Sequence, residues 1–215
     1  MFIGHYGVSF AFKSVNKSIP LGVLFIAVQF LDVLWSLFVM TGVEKVRIVP
    51  GITATNPLDL YYMPYTHSLV GALALSAVGF AVYKIARGNS TYAALLVGIA
   101  IFSHWIFDLI VHRPDLSLYD DTYKMGFGLW NYPAIAFGLE ILLLFGGIFL
   151  YLRSTTAVLS LGKYGMLVFG VILVLVQAYV FFGAPPSSAF GAAMTALAVY
   201  LAFAAIAFWL ERQRQ

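Results

Sequence analysis

Two absences limit what this chain can be: it has no cysteine and very little charge. None of its 215 residues is a cysteine and only 10% are charged, whereas about a quarter of the residues of a soluble domain are charged. Without thiols, neither a disulfide framework nor a thiolate metal site can form. No segment combines clustered Lys and Arg with a recognition motif, so the sequence gives no support for nucleic-acid binding.

Hydrophobic residues are correspondingly frequent. They make up 62% of the chain, which predicts an integral membrane protein. About 20 apolar residues span the core of a bilayer, and because the apolar runs are continuous rather than alternating we expect helices and not strands. The predicted fold class is an all-α polytopic membrane protein with six transmembrane helices, near residues 20–40, 65–86, 91–112, 130–152, 163–183 and 189–210.

The two ends of the chain differ from its middle part. The apolar stretch over residues 1–12 is too short to cross a bilayer, so we expect either an amphipathic helix on the surface or a half-helix that dips into the protein. Between Met166 and Trp209 there is no charged residue and small residues are frequent, which favours close helix packing or contact within a homo-oligomer. We expect a single domain over 1–215, with a core over 1–152 and a two-helix scaffold over 153–215.

The distribution of basic residues predicts the orientation, because cytoplasmic loops carry an excess of Lys and Arg. The side with the long loops 41–64 and 113–129 holds Lys45, Arg47, Arg113 and Lys124. The opposite side holds twice as many: Lys13, Lys17, Lys84, Arg87, Arg153, Lys163, Arg212 and Arg214. We therefore expect both termini in the cytoplasm and both long loops outside.

Ionisable residues interrupt the apolar segments. The densest cluster is His104, Asp108 and His112, whose spacing of about one helical turn places them on one face of an α-helix. Such groups are costly inside a membrane and are functional candidates by default. Counted at about 1.5 Å of rise per residue, further ionisable groups fall in the same middle-to-outer layer of the bilayer: His5, Asp32, His67 and Glu140.

These side chains are the kind that a metal site requires. Imidazole and carboxylate groups in sets of about three to five bind zinc, manganese or iron. The seven candidates outnumber the ligands of one tetrahedral ion, so we expect one or two divalent ions, zinc in the simplest case. A pair of metals suits the hydrolysis of phosphate esters or amides, with Asp108 or Glu140 as the general base.

Several residues have alternative interpretations. His112 ends its helix, so it either binds metal or caps the helix at the interface. Glu140 either carries a proton or accepts hydrogen bonds. Thr66 is a candidate N-cap of the second span. Arg113 is a candidate for binding an anionic substrate group such as phosphate, although arginine at a helix end commonly extends to the interface instead.

Four parts of the sequence together resemble the bacterial membrane-bound metal-dependent hydrolase family: His5, Asp32, Thr66-His67-Ser68 and Ser103-His104-x3-Asp108. Their order and spacing over residues 1–112 are similar to that family's. The resemblance implies an inner-membrane location, a distant similarity to zinc-dependent phospholipases C, and metal ligands at His5, Asp32, His67, His104 and Asp108. The family usually has two acidic residues at the Asp32 position and basic residues before its Thr-His-Ser motif, whereas this chain has neither.

The leading hypothesis is a bacterial inner-membrane hydrolase in which a zinc-activated water attacks an ester, with a phosphoester derived from membrane lipid as the expected substrate. The main rival is a proton- or cation-coupled transporter that uses the same His and Asp groups. Two further alternatives are a haem protein with two axial histidines and a structural protein with a degenerate site. Metal analysis and visible absorption separate these classes.

Overall fold

The computed structural model describes residues 1–88 and 90–215. Over these residues the chain forms eight α-helices, a two-stranded sheet and one turn of 3-10 helix at Leu129–Asn131. The helices are α1 (Ile3–Val15), α2 (Leu21–Val28), α3 (Phe30–Met40), α4 (Leu69–Arg87), α5 (Thr91–Val111), α6 (Pro133–Ser154), α7 (Ser160–Phe182) and α8 (Ala189–Glu211), and the strands are β1 (Lys45–Ile48) and β2 (Leu58–Tyr62).

Helices α4 to α8 are each long and apolar enough to cross a membrane, and α2 with α3 forms a sixth candidate span. The predicted all-α polytopic fold is therefore confirmed. The first span differs from a straight helix, because α2 and α3 meet at Gln29 with a bend of 56°. The span expected from residue 65 begins at Leu69 instead, which leaves His67 in the preceding turn.

Helix α1 is the half-helix that dips into the protein, rather than a surface helix. His5, Tyr6 and Phe10 are completely buried, and α1 packs chiefly along α6. A side chain added at Gly7 would collide with the backbone of α6 at Leu143. The two helices thus approach as closely as their backbones permit, as small residues allow in membrane proteins.

The rest of the molecule surrounds this buried helix. Helices α2 and α5 also pack on α1, α8 packs on α2 and α3, and α4 packs on α5. Stacked aromatic rings fill the centre, with the rings of Tyr6 and Phe25 4.4 Å apart. The start of α1, the start of α3 and the end of α5 consequently meet at one level.

The loop over 41–64 contains a small sheet that the sequence analysis did not expect. Strand β1 pairs with β2 in antiparallel register, with Lys45 opposite Tyr62 and Ile48 opposite Leu58. The strands are too short and too polar to show in a search for spanning segments. Their role in the fold is to hold the loop over the same end of the helices at which α1 begins.

Candidate metal centre

His104 lies at the bend between α2 and α3. Its Nδ1 is 2.7 Å from the carbonyl oxygen of Val28, the last residue of α2. Because a carbonyl can only accept a hydrogen bond, this nitrogen carries a proton and donates it. Irregular backbone at membrane depth is tolerated where its polar groups are satisfied within the protein. The bend therefore fixes the His104 ring and leaves Nε2 as its free nitrogen.

His67 is oriented by a chain of two hydrogen bonds. Its Nδ1 is 2.7 Å from the hydroxyl oxygen of Thr66, and that hydroxyl is 2.6 Å from a carboxylate oxygen of Glu44. The hydroxyl has one hydrogen, which it donates to the carboxylate, so it accepts from His67 Nδ1. Glu44 also accepts from the backbone nitrogens of Tyr65 and Thr66. This buried carboxylate holds the whole turn that presents His67.

His112 directly follows α5 and is oriented by an acid in the next loop. Its Nδ1 is 2.8 Å from Asp115 Oδ1, and its Nε2 is 3.3 Å from Asp108 Oδ2. Burial lowers the pKa of His112, but the carboxylates of Asp108 and Asp115 outweigh burial and raise it above its ordinary value. The negative potential that attracts a proton here also attracts a metal cation.

The second nitrogens of the three rings converge on two carboxylates. His104 Nε2 is 3.2 Å from Asp108 Oδ2, and His67 Nε2 is 3.3 Å from Asp32 Oδ1. With the proton of each ring on Nδ1, these contacts set nitrogen lone pairs against carboxylate oxygens. His104 Nε2 is buried and has no hydrogen-bond partner among the described residues. Such an arrangement requires a cation between the groups, either an additional proton on the rings or a metal ion.

Two sets of ligand atoms are close enough to share an ion. One set is His5, His104 and Asp108, the other is Asp32, His67 and His104, and within each set the atoms lie within 4.8 Å of one another. His5 Nε2 is 3.1 Å from Asp108 Oδ1, and its ring stacks on His104 at 4.0 Å. The backbone nitrogen of Met1 also contacts Asp108 Oδ1, at 2.5 Å.

The donors present fit a metal ion. They are imidazole nitrogens and carboxylate oxygens, which suit zinc and other first-row divalent ions. In His67, His104 and His112 the Nδ1–H donates a hydrogen bond to a hydroxyl, a carbonyl and a carboxylate, respectively. Ligating histidines nearly always have such a partner, which fixes the tautomer and the ring orientation.

Two residues of the predicted site have other partners. Glu140 accepts hydrogen bonds from the backbone nitrogens of Phe2 and Gly4 and from the side chain of Gln177. It lies outside both candidate metal sets and fixes the start of α1. Arg113 is paired with Asp59 and Asp115 and does not line the cavity at the site. Its position supports the acid that orients His112.

The capping residue of α4 is also corrected. Ser68, and not Thr66, is the N-cap, since its hydroxyl accepts from the Gly71 nitrogen at 3.0 Å. Thr66 cannot cap because the helix begins at Leu69 and because its hydroxyl is engaged between Glu44 and His67. The Thr66 hydroxyl, expected to cap the start of the helix, thus bonds to the candidate ligand His67.

Two residues that bond to the predicted site residues come from α7 and α8, the helices predicted to be a scaffold, and were not themselves predicted. The Tyr200 hydroxyl of α8 donates to Asp32 Oδ2 at 2.8 Å, and Gln177 of α7 donates to Glu140 at 3.0 Å. Gln177 could have been noticed as a lone amide in an apolar span. Tyr200 had no such signal among the many aromatic residues of the chain.

A cavity of about 870 Å³ opens onto the cluster, and Asp32, His67, Asp108 and His112 line its inner end. Its other walls come from residues 50–58, from the connection 183–187 and from facing turns of α7 and α8. A ligand in this cavity would contact the candidate metal ligands directly.

Comparison of the chain with protein-family models, curated proteins and solved structures finds no match. The geometry of the cluster and of its cavity is therefore the basis for assigning a function.

Proposed function

We propose that this protein is a membrane-embedded metal-dependent hydrolase that binds one or two divalent ions, zinc in the simplest case. The ligands are His5, Asp32, His67, His104 and Asp108, with His112 beside them. The proposal is supported chiefly by one observation: the buried Nε2 of His104 faces two carboxylates and has no hydrogen-bond partner among the described residues.

A metal explains this arrangement better than additional protons do. His5 and His104 stack at 4.0 Å, so additional protons on both rings would repel each other, whereas a single ion can bind both rings and Asp108. The acceptor of each Nδ1 is fixed in the structure in either case. Such outer partners are characteristic of metal-binding histidines. The cavity that reaches the ligands favours a catalytic site, because structural zinc sites are closed.

The chemistry follows from the metal and from Asp108. When bound, zinc brings the pKa of a coordinated water to about 7 and polarises the bond to be cleaved. Asp108 contacts His5, His104 and His112 and also lines the cavity. We assign to it the orientation of the attacking water and the acceptance of its proton. Glu140, which was the other candidate base, has the role of positioning α1.

The proposed substrate is an ester derived from membrane lipid, with a phosphoester as the first choice. The spanning helices place the cluster within a membrane protein, so a lipid reaches it without leaving the bilayer. We further propose the inner membrane of a bacterium, with the site in the outer half and both termini cytoplasmic. This location rests on the family resemblance and on the distribution of Lys and Arg.

Metal analysis of the purified protein tests the proposal. We expect one or two zinc ions per chain, and loss of most of this zinc in the double variant His104→Ala/Asp108→Ala. Asp121→Ala is the matched control, because Asp121 is a loop acid paired with Lys124 away from the cluster. A strong chelator is expected to abolish hydrolysis of a phosphodiester probe, and zinc to restore it.

A protein that contains no metal and hydrolyses no ester after incubation with zinc contradicts the proposal. If that protein moves protons or cations across vesicles, and the double variant does not, the transporter takes its place. A haem absorption band would assign the histidines to that cofactor instead.

A further inference from the structure

The cavity above the cluster has a composition that restricts its ligand further than the proposed function does. We infer that it binds an amphiphile that places one hydrocarbon chain between α7 and α8 and carries no more than one anionic group in its head. This inference rests on the proposed function, because it names the substrate class of the same site.

The chain position follows from two facing helix surfaces. Val176, Tyr179 and Val180 of α7 line the cavity, and their spacing places them on one face of that helix. On α8 the lining residues include Ala192, Thr195, Ala196 and Val199, which also recur every three or four residues. An apolar channel therefore runs from the cluster along two membrane-spanning helices, and the small side chains of α8 leave it open.

The volume accommodates a head group and one hydrocarbon chain. The cavity measures about 870 Å³, while pockets that enclose a drug-sized ligand measure about 300–1,000 Å³. A head group at the metal ligands and one chain between the helices fit within this volume. Val180 and Thr195 line the cavity although they are exposed, so the cavity is open on that side and any second chain of the lipid would stay in the bilayer.

The charge of the lining limits the head group. Among the described residues, no Lys or Arg lines the cavity, whereas Asp32, Asp108 and Glu140 do. Sites for phosphate groups commonly supply Arg or Lys to pair with them. The remaining polar groups at the mouth are neutral, from Thr53, Asn56 and Ser187. The amino group of Met1 is already paired with Asp108, so a bound metal is the strong partner left for negative charge, which favours a single phosphodiester over a diphosphate or a phosphate monoester.

Tryptophan quenching by a brominated chain tests the location. Trp35 and Trp130 line the cavity and are 5% and 6% exposed, whereas Trp209 is 52% exposed and is replaced by Phe in every protein used. The probe is lysophosphatidylcholine brominated on its chain, added to zinc-loaded protein in nanodiscs of unbrominated phosphatidylcholine. We expect saturable quenching at a low molar fraction of probe.

Two substitutions on one helix supply the matched comparison. Ala196→Phe fills the channel and is expected to raise the half-quenching fraction about tenfold, which corresponds to about 1.4 kcal/mol. Ala198→Phe lies on the exposed face of α8 outside the cavity lining and is expected to leave the fraction unchanged. Thr195→Phe, at an exposed position that also lines the cavity, replaces Ala196→Phe if that variant does not fold.

The head group is tested with an alkyl diphosphate that carries the same brominated chain, expected to quench about tenfold more weakly. Equal quenching by the two head groups overturns the charge limit, and equal effects of the two Phe substitutions overturn the chain position. Quenching reports binding and needs no turnover, so the ligand class inferred here and the proposed hydrolase function are tested independently. Probe binding without zinc or hydrolysis overturns the proposed function alone, while zinc-dependent hydrolysis of a water-soluble ester without probe binding overturns this inference alone.

Discussion

At the scale of single residues, the proton on one nitrogen of each histidine determines what the other nitrogen can bind. Three chemically different acceptors produce the same result: the Val28 carbonyl for His104, the Thr66 hydroxyl for His67, and the Asp115 carboxylate for His112. None of these acceptors is itself a candidate ligand. They nevertheless set the tautomers on which any metal affinity depends.

Thr66 gives the clearest test of whether these acceptors affect metal binding. In Thr66→Val the acceptor of His67 Nδ1 is lost while side-chain shape is kept, and we expect zinc affinity to fall about 10–100-fold, as is typical for outer partners of a ligand. The control is Thr41→Val, because the exposed hydroxyl of Thr41, which follows α3, bonds to the carbonyl of Leu37 in that helix. Competition with a zinc-chelating dye measures the zinc affinity of both variants. Equal affinities for the two variants would show that the Thr66 hydroxyl does not tune His67.

The stripe of His104, Asp108 and His112 could be predicted from sequence, because helical spacing alone places residues on one face. The partners of Glu140 and Arg113 could not be predicted from the sequence. Glu140 bonds to backbone nitrogens at the start of α1, and Arg113 bonds to Asp59 in β2. Both pairings join segments far apart in the chain, and no local pattern reports them. Whether the cluster binds metal stays a prediction.

At the scale of helices and strands, the apolar runs predicted the spans well because length and hydropathy decide them. The bend at Gln29 was not predicted, since neither Pro nor Gly marks it. The structure supplies tertiary reasons instead: the Gln29 side chain bonds to the Phe2 carbonyl at 3.3 Å, and His104 occupies the neighbouring carbonyl. A polar Gln in an apolar run is the one local hint. The strands β1 and β2 were not predicted either, because they are much shorter than a membrane-spanning segment.

The close contact between α1 and α6 can be tested with neighbouring glycines. A Cβ at Gly147 would collide with the Gly7 backbone, whereas a Cβ at Gly146 would meet nothing within 4 Å. We expect Gly147→Ala to destabilise the protein by about 1–3 kcal/mol, as overpacking does. Gly146→Ala is expected to be neutral or to stabilise by up to about 1 kcal/mol, because alanine is the better helix former.

Thermal unfolding followed by tryptophan fluorescence measures this difference. Zinc affinity should fall with stability in Gly147→Ala alone, because α1 carries His5. Equal melting temperatures for the two variants would mean that α1 does not rest on α6 through these glycines.

At the scale of the whole molecule, the absence of cysteine makes the orientation easy to measure. Phe127 is 75% exposed in one long loop, and Val158 is 52% exposed in the connection on the opposite side. With a single cysteine at each position in turn, we expect a membrane-impermeant maleimide to label Phe127→Cys in intact bacterial cells. Val158→Cys should react only after the cells are opened. The reverse pattern would place both termini outside and the candidate site in the inner half of the membrane.

The carboxylate that fixes the start of α1 also bears on how the chain is made. Glu140 stands 138 residues after Phe2, whose backbone nitrogen it accepts from, so during translation α1 emerges long before its partner. A helix too short to span, with its first nitrogens unpaired, cannot stay in lipid. We therefore expect it to lie at the membrane surface until α6 is inserted. A nascent chain that ends before α6 therefore has all four histidines but lacks the carboxylate that positions α1, and with it His5, in the candidate metal centre.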